Sequence, residues 1–540
     1  MNYIKFSSLK FYPKLFQDYV CNFDNLSLFF EYDFRSDKSF SNRISYLQNF
    51  SDYQRNAIAD ILIKQYENFS PSQKTLNNIN KLRKLNSFAV ITGQQIGVIG
   101  GPLYSLYKTI AAIKLATLLK EKFFSYNFLP VFWMLSDDSD LNEINLASVL
   151  DKENRFQRIF LFNNEVDYDK QLVGDISIVD SNSFFAKLQD LLRETEFTKN
   201  LIETLKSIYS NGKNLKTAFK ELWMRLFDED GLIIFDADDD EARKLLKPIY
   251  ERELNNFLEH SKLLIRDSAL LEDIYHAQVK IKPINLFIIE DGKRFSLEPD
   301  KNGFSLKGKK NFYPKSEFQK ILDEKPQVFS PNVLLRPLCQ DYLFPTLTYI
   351  AGPSEISYYA QIKNYYKAFN MQMPIVYPRP SATIVENSAK KIIDKYNIAL
   401  TDFLSSKQSC VKTILNSLSE INPESIFNKY FKEAQNFYSS LKNEILLIDS
   451  ALQNACENFK DKIVQNMEVL KKKTEQAYER KNEIAANQLE KLGSLLLPDD
   501  NLQERELSWI YFANKYGLDF YKICYDNISI NIFEHQIIEL

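Results

Sequence analysis

Histidine is nearly absent from this chain. Only His260, His276 and His535 occur in 540 residues, and none stands in a recognisable pattern with a cysteine. That excludes a Cys–His nucleophile of the usual kinds, so Cys339, set among leucines, reads as core, and His276 in "YHAQV" reads as structural. The five cysteines (Cys21, Cys339, Cys410, Cys456, Cys524) are scattered, odd in number and free of any CxxC pair. This argues against a disulfide framework or a structural zinc and for reduced thiols in a cytoplasmic protein. No stretch approaches the ~18 apolar residues of a membrane span, and the start "MNYIKFSSLKFYPKLF" lacks the apolar run of a signal peptide. With a net charge of −3 and no basic block, a nucleic-acid partner is not expected either.

The chain does carry 45% hydrophobic and 14% aromatic residues. At this length two or more structural regions are expected. Up to residue 380, short apolar β-rich runs alternate with helical patterns. "FAVIT" (88–92) and "LPVFWML" (129–135) flank a helix opening near Pro102, a β-α-β unit suited to a parallel sheet. "GLIIFDA" (231–237), "INLFII" (284–289) and "QMPIVYP" (372–378) read as further strands, with helical insertions near 180–225 and 255–280.

From residue 381 to 497 the pattern is a helical coiled coil. Neither 382–421 nor 424–492 contains Pro or Gly. Between them "INPES" supplies a helix start, with Asn422 as N-cap and Pro423 at the first position. Apolar residues at Leu441, Ile445, Ile448, Leu452, Ala455 and Phe459 repeat with a 3.5-residue period; a stutter at Ile463 and Met467 precedes Leu470, Thr474 and Ala477. A continuous helix of about 69 residues would extend roughly 100 Å, which predicts an antiparallel hairpin. "GSLLLPDD" (493–500) ends it, and the aromatic segment 498–540 is expected to pack back on the core.

Three stretches carry chemistry. "TGQQIGVIGGPLY" joins a strand to a helix, where backbone N–H groups and the helix dipole favour an anion. It lacks the Gly-Lys-Ser/Thr of a P-loop and the Gly-x-Gly-x-x-Gly spacing. It is either a ligand-holding loop or a tight turn packing helix on sheet. Its candidate binding residues are Thr92, Gly93, Gln94, Gln95, Gly97, Gly100, Gly101 and Tyr104. "SDDSDLNEIN" places Asp137, Asp138, Asp140 and Glu143 at a strand's carboxyl end, with Asn145 two residues on. These acids suit Mg²⁺, a substrate ammonium or proton transfer; the alternative is a solvated loop. In "LLRPLCQDYLFPTLTYIAGPSEISYYAQI", Arg336 is placed to bind a carboxylate or phosphate bidentately, or else to form a buried pair with Asp341. Gln340, Gly352, Glu355 and Tyr358 complete this candidate set. "FDADDDE" (235–241) reads as a helix N-terminus favoured by its dipole.

The blocks "TGQQIGVIGGPLY", "PVFWMLSDDSDLNEIN", "RPLCQDYLFPTLTYIAGPSEISYYAQ", "MPIVYPRPSATIVE" and "LQERELSW" together resemble, in pattern and order over nearly the whole chain, the bacillithiol biosynthesis cysteine-adding enzymes. The resemblance implies a Rossmann-type α/β core akin to class I aminoacyl-tRNA synthetases, with connecting insertions and a coiled coil that makes a homodimer. It implies joining of L-cysteine to the amine of glucosaminyl-malate, and adenine nucleotide binding (ATP or ADP, with Mg²⁺ as a possible companion). One departure stands out. Where the family carries histidines between the acids and after the Glu-x-x-Asn segment, this sequence has Ser139 and Leu146, which removes bases that titrate near neutral pH. A non-catalytic, dimeric nucleotide-binding scaffold is therefore the rival expectation. A coiled-coil ATPase is excluded by the missing P-loop.

Overall fold

A computed structural model describes residues 2–162, 168–309, 312–417, 423–481 and 483–540. The chain divides into two compact units, residues 1–384 with 501–539, and residues 385–500 with 540.

The first unit is built on a five-stranded parallel sheet. Its elements in chain order are β1 (Ser87–Gln95), α1 (Leu103–Lys122), β2 (Asn127–Leu135), β3 (Ile233–Asp236), α2 (Arg336–Leu343), β4 (Thr346–Ala351), α3 (Pro353–Tyr359) and β5 (Ile375–Pro378). The order is β5-β4-β1-β2-β3, every neighbour parallel. The first seven residues of β1, "SFAVITG", are all buried. Such a continuous apolar run is what a strand covered on both faces requires. The chain steps outward from β1 to β3, then returns to the other side of β1 as β4. That reversal opens a crevice at the carboxyl ends of β1 and β4, where open α/β sheets bind ligands.

Strands expected over 231–237 and 372–378 appear as β3 and β5. The third expected strand forms as Leu286–Glu290, but in a separate antiparallel sheet with 293–300, 303–306, 312–314 and 329–331. The reason is the Asp291–Gly292 turn, both residues at positive φ, which folds the chain straight back into a hairpin. The 180–225 insertion is three helices: Ser181–Leu191, Thr198–Ile208 and Leu215–Phe227. The helix expected over 255–280 instead runs Lys247–Glu272. Beyond it, the Gln361 side chain holds the backbone of Val279 out of helical form by accepting from its N–H and donating to its carbonyl, both at 2.9 Å.

The second unit is helical. A continuous helix over 424–492 does not form. Helix α4 (Pro423–Ile448) ends at Asp449, whose extended backbone breaks the helix and whose carboxylate accepts from the Ala451 N–H at 2.8 Å. Helix α5 (Gln453–Lys481) then returns, followed by α6 (Glu483–Leu496). With 26 and 29 residues, the two arms are about 39 and 44 Å long at 1.5 Å per residue. The apolar period therefore closes on itself. Tyr438, Leu441 and Ile445 of α4 face Leu452, Ala455, Cys456 and Phe459 across a cavity of about 290 Å³, and Lys442 pairs with Glu457. Ile448, expected in that seam, is 84% exposed at the turn. The helices Asn387–Tyr396 and Lys407–Ser417 pack on α6. Asn422, the expected N-cap, lies outside the described residues.

The segment 501–539 belongs to the first unit, where His535–Glu539 pairs antiparallel with the strand Asn2–Ile4. His535 is fully buried. Its Nδ1 hydrogen-bonds with Ser381 at 2.8 Å and Tyr12 at 3.2 Å, and its Nε2 with Thr383 at 2.8 Å. Burial, the main cause, pushes its imidazole down to about 4. The unfolded chain binds this proton below about pH 6.5, the folded chain only below about pH 4. Stability from this site is thus complete above pH 6.5 and lost as pH falls towards 4, by about 1.4 kcal/mol per unit at most. His535→Gln should lower the melting temperature at pH 7, and its gap from wild type should shrink between pH 6.5 and 4. A gap independent of pH would contradict the assignment.

Candidate active site

A cavity of about 520 Å³ opens at the β1/β4 crevice, within the usual range for small-molecule sites. Its floor is tied by one ion pair. Lys108, on the buried part of α1, is itself buried, and its Nζ donates to the Glu355 carboxylate at 2.7 Å, the Gly93 carbonyl at 2.5 Å and Gln94 Oε1 at 3.3 Å. Glu355 also accepts from the Tyr349 hydroxyl and the Gly352 N–H, both at 2.6 Å. Burial by itself would raise the Glu355 carboxyl, but Lys108 and the Gly352 N–H hold it below the usual range.

Beside this pair lies Arg336. Its Nη1 donates to Gln340 at 3.0 Å, its Nη2 to the Tyr358 hydroxyl at 3.2 Å, and its guanidinium sits 5.1 Å from the Tyr349 ring centroid. Among the described residues no carboxylate comes within 4 Å of it. The Arg336–Asp341 pair considered from sequence is not made. Asp341 instead accepts from Gln340 at 3.0 Å and Tyr366 at 2.6 Å. Gln340 and Asp341 stand behind the wall, outside the cavity lining. Arg379 completes this side, paired with the buried Glu504 at 2.7 Å and 5.3 Å from the Tyr104 ring. Burial, the leading cause, pushes the Tyr104 phenol up to about 12.

The acidic block forms the opposite side. Gln95 Nε2 donates to Asp138 at 2.7 Å and to Glu143 at 2.8 Å, so two carboxylate oxygens converge on one position. Asp137 accepts from Ser330 at 2.8 Å. Asp140 is exposed and outside the lining. Asn145 is a strut: it donates to the Phe162 carbonyl at 2.9 Å and accepts from the Phe162 N–H at 2.7 Å. Ser139 and Leu146 do not line the cavity, so the missing imidazoles leave no gap in its wall. Among the described residues no group of three or more His, Cys, Asp or Glu side chains is arranged to hold a metal.

The glycine loop divides in two. Gly93, Gln94, Gln95 and Tyr104 reach the cavity, whereas Thr92, Gly97, Gly100 and Gly101 do not. Thr92 is buried and donates to the Ile350 carbonyl at 3.3 Å. Gly100 has φ +88°, and a Cβ there would lie 2.4 Å from the Trp223 ring. The Trp509 indole donates to the Ile99 carbonyl at 2.8 Å, and the Leu103 N–H at the start of α1 donates to the Leu507 carbonyl at 2.9 Å. Protein atoms therefore occupy the helix terminus that the sequence offers to an anion.

Several lining residues were not singled out in the sequence: Lys108, Lys280, Lys282 and Arg294 lie in none of the quoted blocks, while Arg379 and Arg505 lie in "MPIVYPRPSATIVE" and "LQERELSW" without a role assigned to them. Lys108 was legible only as the first of several charges in the helix Leu103–Lys122. "FDADDDE" also does more than expected. Asp239 caps the helix Asp240–Leu245, while buried Asp238 pairs with Arg243 at 2.7 Å and Lys216 at 2.8 Å. Burial, the largest influence, raises the Asp238 carboxyl to about 6.

Removing one member of a fully buried pair strands the other charge at about 3–5 kcal/mol; here Lys108 is buried and the Glu355 side chain 21% exposed, which places the loss at or below the low end of that range. Lys108→Met should therefore cause a loss of stability in urea or thermal unfolding, and Lys108→Met/Glu355→Gln a smaller one. A double variant less stable than the single would refute the coupling.

Comparison with known proteins agrees with this architecture. Residues 1–380 match the family model "Bacillithiol biosynthesis BshC, N-terminal Rossmann-like domain", and residues 382–540 match "Bacillithiol biosynthesis BshC, C-terminal coiled-coil domain". A relative from Salinibacter ruber named "Putative cysteine ligase BshC" is 32% identical over 514 residues, covering 95% of this chain and 93% of the relative. Proteins of the same name from Chloroherpeton thalassium and Bacillus cytotoxicus are 30% and 28% identical, over 98% and 93% of this chain and 97% and 94% of their own lengths. The chain belongs to the bacillithiol biosynthesis BshC family.

Proposed function

We propose that this protein is a cysteine ligase that joins the carboxyl group of L-cysteine to the amine of glucosaminyl-malate, giving bacillithiol. The observation that carries the reading is Arg336: a buried guanidinium facing the cavity, held by neutral partners, with no carboxylate of the described residues within 4 Å. Its planar fork suits a carboxylate, and malate supplies two. ATP activates the cysteine carboxyl as an acyl phosphate or an acyl adenylate. The sugar nitrogen then attacks the carbonyl carbon, the C–O bond to phosphate or AMP breaks, and the proton leaving nitrogen passes to the acidic side, with Asp138 as its acceptor. Were Mg²⁺ to accompany the nucleotide, Asp138 and Glu143 are the carboxylates that would hold it, and it would supply charge neutralisation for the phosphates.

The family relationship supports this reading, as do the excess of cations in the cavity and the two carboxylates converging at Gln95. The cavity keeps its acids despite Ser139 and Leu146, which favours catalysis over a non-catalytic scaffold. A cytoplasmic location fits the thiol chemistry, and no helix among the described residues is long and apolar enough to cross a membrane. The hairpin is the dimerising element in this reading, because apolar side chains on it remain open: Leu447 is 88% and Phe437 59% exposed, and Leu470, expected in the repeating seam, is 58% exposed.

Incubating purified protein with glucosaminyl-malate, L-cysteine and ATP should yield the thiol product by mass spectrometry, with ADP or AMP identifying the activation route; no product would refute the reading. Arg336→Lys should raise KM for glucosaminyl-malate at least about tenfold, with a smaller effect on kcat, since the charge stays but the fork is lost. Asp138→Asn should lower kcat at least about tenfold, at the weak end of acid–base contributions. Unchanged kinetics in both would move the chemistry elsewhere. Replacing 423–481 by a short linker should convert a dimer to a monomer in sedimentation velocity. A variant that still sediments as a dimer would dissociate the hairpin from self-association.

A further inference from the structure

Seven lysine and arginine side chains line the cavity against four carboxylates, and the excess is not spread evenly. Where the antiparallel sheet meets the cavity, Arg294 and Lys282 share one aromatic ring. The Arg294 guanidinium lies 4.1 Å from the Phe287 centroid and the Lys282 ammonium 5.2 Å from it. The Arg294 side chain is only 9% exposed. It donates to the Pro331 carbonyl at 2.6 Å and approaches Asp138 at 3.4 Å, while its Nε has no hydrogen-bond partner. A buried N–H left unmatched beside a cavity is an unfilled donor.

Lys280 lines the same cavity two residues before Lys282. Among the described residues no carboxylate lies within 4 Å of either lysine. Burial first, then repulsion from Lys307 and Arg294, pushes the Lys282 ammonium down. Glu298 is the acid that acts on Lys282, and it does not offset the other influences; Asp138, which also lines the cavity, is engaged by Gln95, the Ser139 N–H and Arg294. Lys280 and Lys282 are therefore held without a close counter-charge beside a guanidinium whose one acid, Asp138, is shared, an arrangement that a bound anion would stabilise.

The kind of anion follows from the donors. Arg336 offers a planar fork backed by neutral groups, which matches a carboxylate. Lys280 and Lys282 are point charges on flexible stems, exposed at the mouth, with one guanidinium N–H behind them. That combination follows a chain of phosphate oxygens better than it grips a single planar carboxylate. We propose that Lys280, Lys282 and Arg294 form a polyphosphate subsite, distinct from Arg336, that takes the phosphates of the activating nucleotide. The occupant rests on the ligase reading above; the subsite rests on the charges alone. Through Asp138, which Arg294 meets at 3.4 Å and Gln95 at 2.7 Å, the subsite adjoins the first residues of the glycine loop and not its helix terminus, where the Leu103 N–H is capped by the Leu507 carbonyl.

The test uses the full-length protein and isothermal titration with three probes: ADP, inorganic pyrophosphate and L-malate. Lys280→Ala/Lys282→Ala alters only exposed side chains, and its circular dichroism should match wild type. It should weaken ADP and pyrophosphate at least tenfold and L-malate less than twofold, while Arg336→Met should show the reverse selectivity. Raising salt should weaken pyrophosphate binding to wild type more than to the double variant. ADP and pyrophosphate affinities unchanged in the double variant, or absent in wild type, would overturn the subsite. Pyrophosphate binding that is lysine-dependent, without ADP binding, would overturn the nucleotide as occupant. Product formation measured in parallel separates the two readings: lysine-dependent ADP binding without any thiol product keeps the subsite and removes the ligase assignment.

Discussion

A single buried ammonium joins both sides of the crevice. Lys108 reaches from α1 to the carbonyl at the end of β1 and to Glu355 at the start of α3, and Glu355 in turn holds the Tyr349 hydroxyl of β4 and the Gly352 N–H. Two strands and two helices that diverge at the reversal of the sheet are thereby fixed to one point. Such a pair is poor as a pure source of stability, because desolvating both charges offsets much of their attraction. Its effect is geometric: neither helix shifts without stranding a charge, so the cavity floor keeps its shape.

That floor presents opposed chemistries. On one side Arg336 is held by neutral hydroxyl and amide groups, which leaves its charge for a ligand. Arg379, a few ångströms from Tyr104, is neutralised by Glu504, so two buried guanidiniums with similar surroundings differ in what remains available. On the other side Asp138 and Glu143 meet at the Gln95 amide, a position for a cation or a departing proton. The proposed amide-forming reaction would use both, the guanidinium for an anionic acceptor and the carboxylates for the proton its nitrogen gives up.

The glycine loop shows how one feature serves two masters. Its first residues, Gly93 to Gln95, form the cavity wall. The remainder turns through left-handed backbone at Ile99, Gly100 and Gly101 and is buried beneath Trp223 and Trp509. The C-terminal segment then supplies the Leu507 carbonyl to the start of α1. The glycines there answer to packing and backbone conformation, so the electrostatic work passes to side chains from elsewhere in the chain.

By itself the sequence determined the parallel α/β core, the helical second unit and the two stretches whose carboxylates and Arg336 reach the cavity. Those features are local: apolar runs of strand length, a 3.5-residue period, and polar residues at strand ends where their neighbours fix their direction. Tertiary structure alone decided the rest. A hairpin is legible in the sequence, but with 424–492 as one arm; the repeat of 441–459 reads the same for one long helix as for two facing ones, and only the packing of Leu441 and Ile445 on Ala455 and Phe459 put the turn at Asp449. Likewise Lys108, Lys282 and Arg294 are ordinary charges in their own segments. They matter because folding brings residues far apart in sequence to one cavity, where burial and the presence or absence of a counter-charge, which no local pattern encodes, set what each can bind.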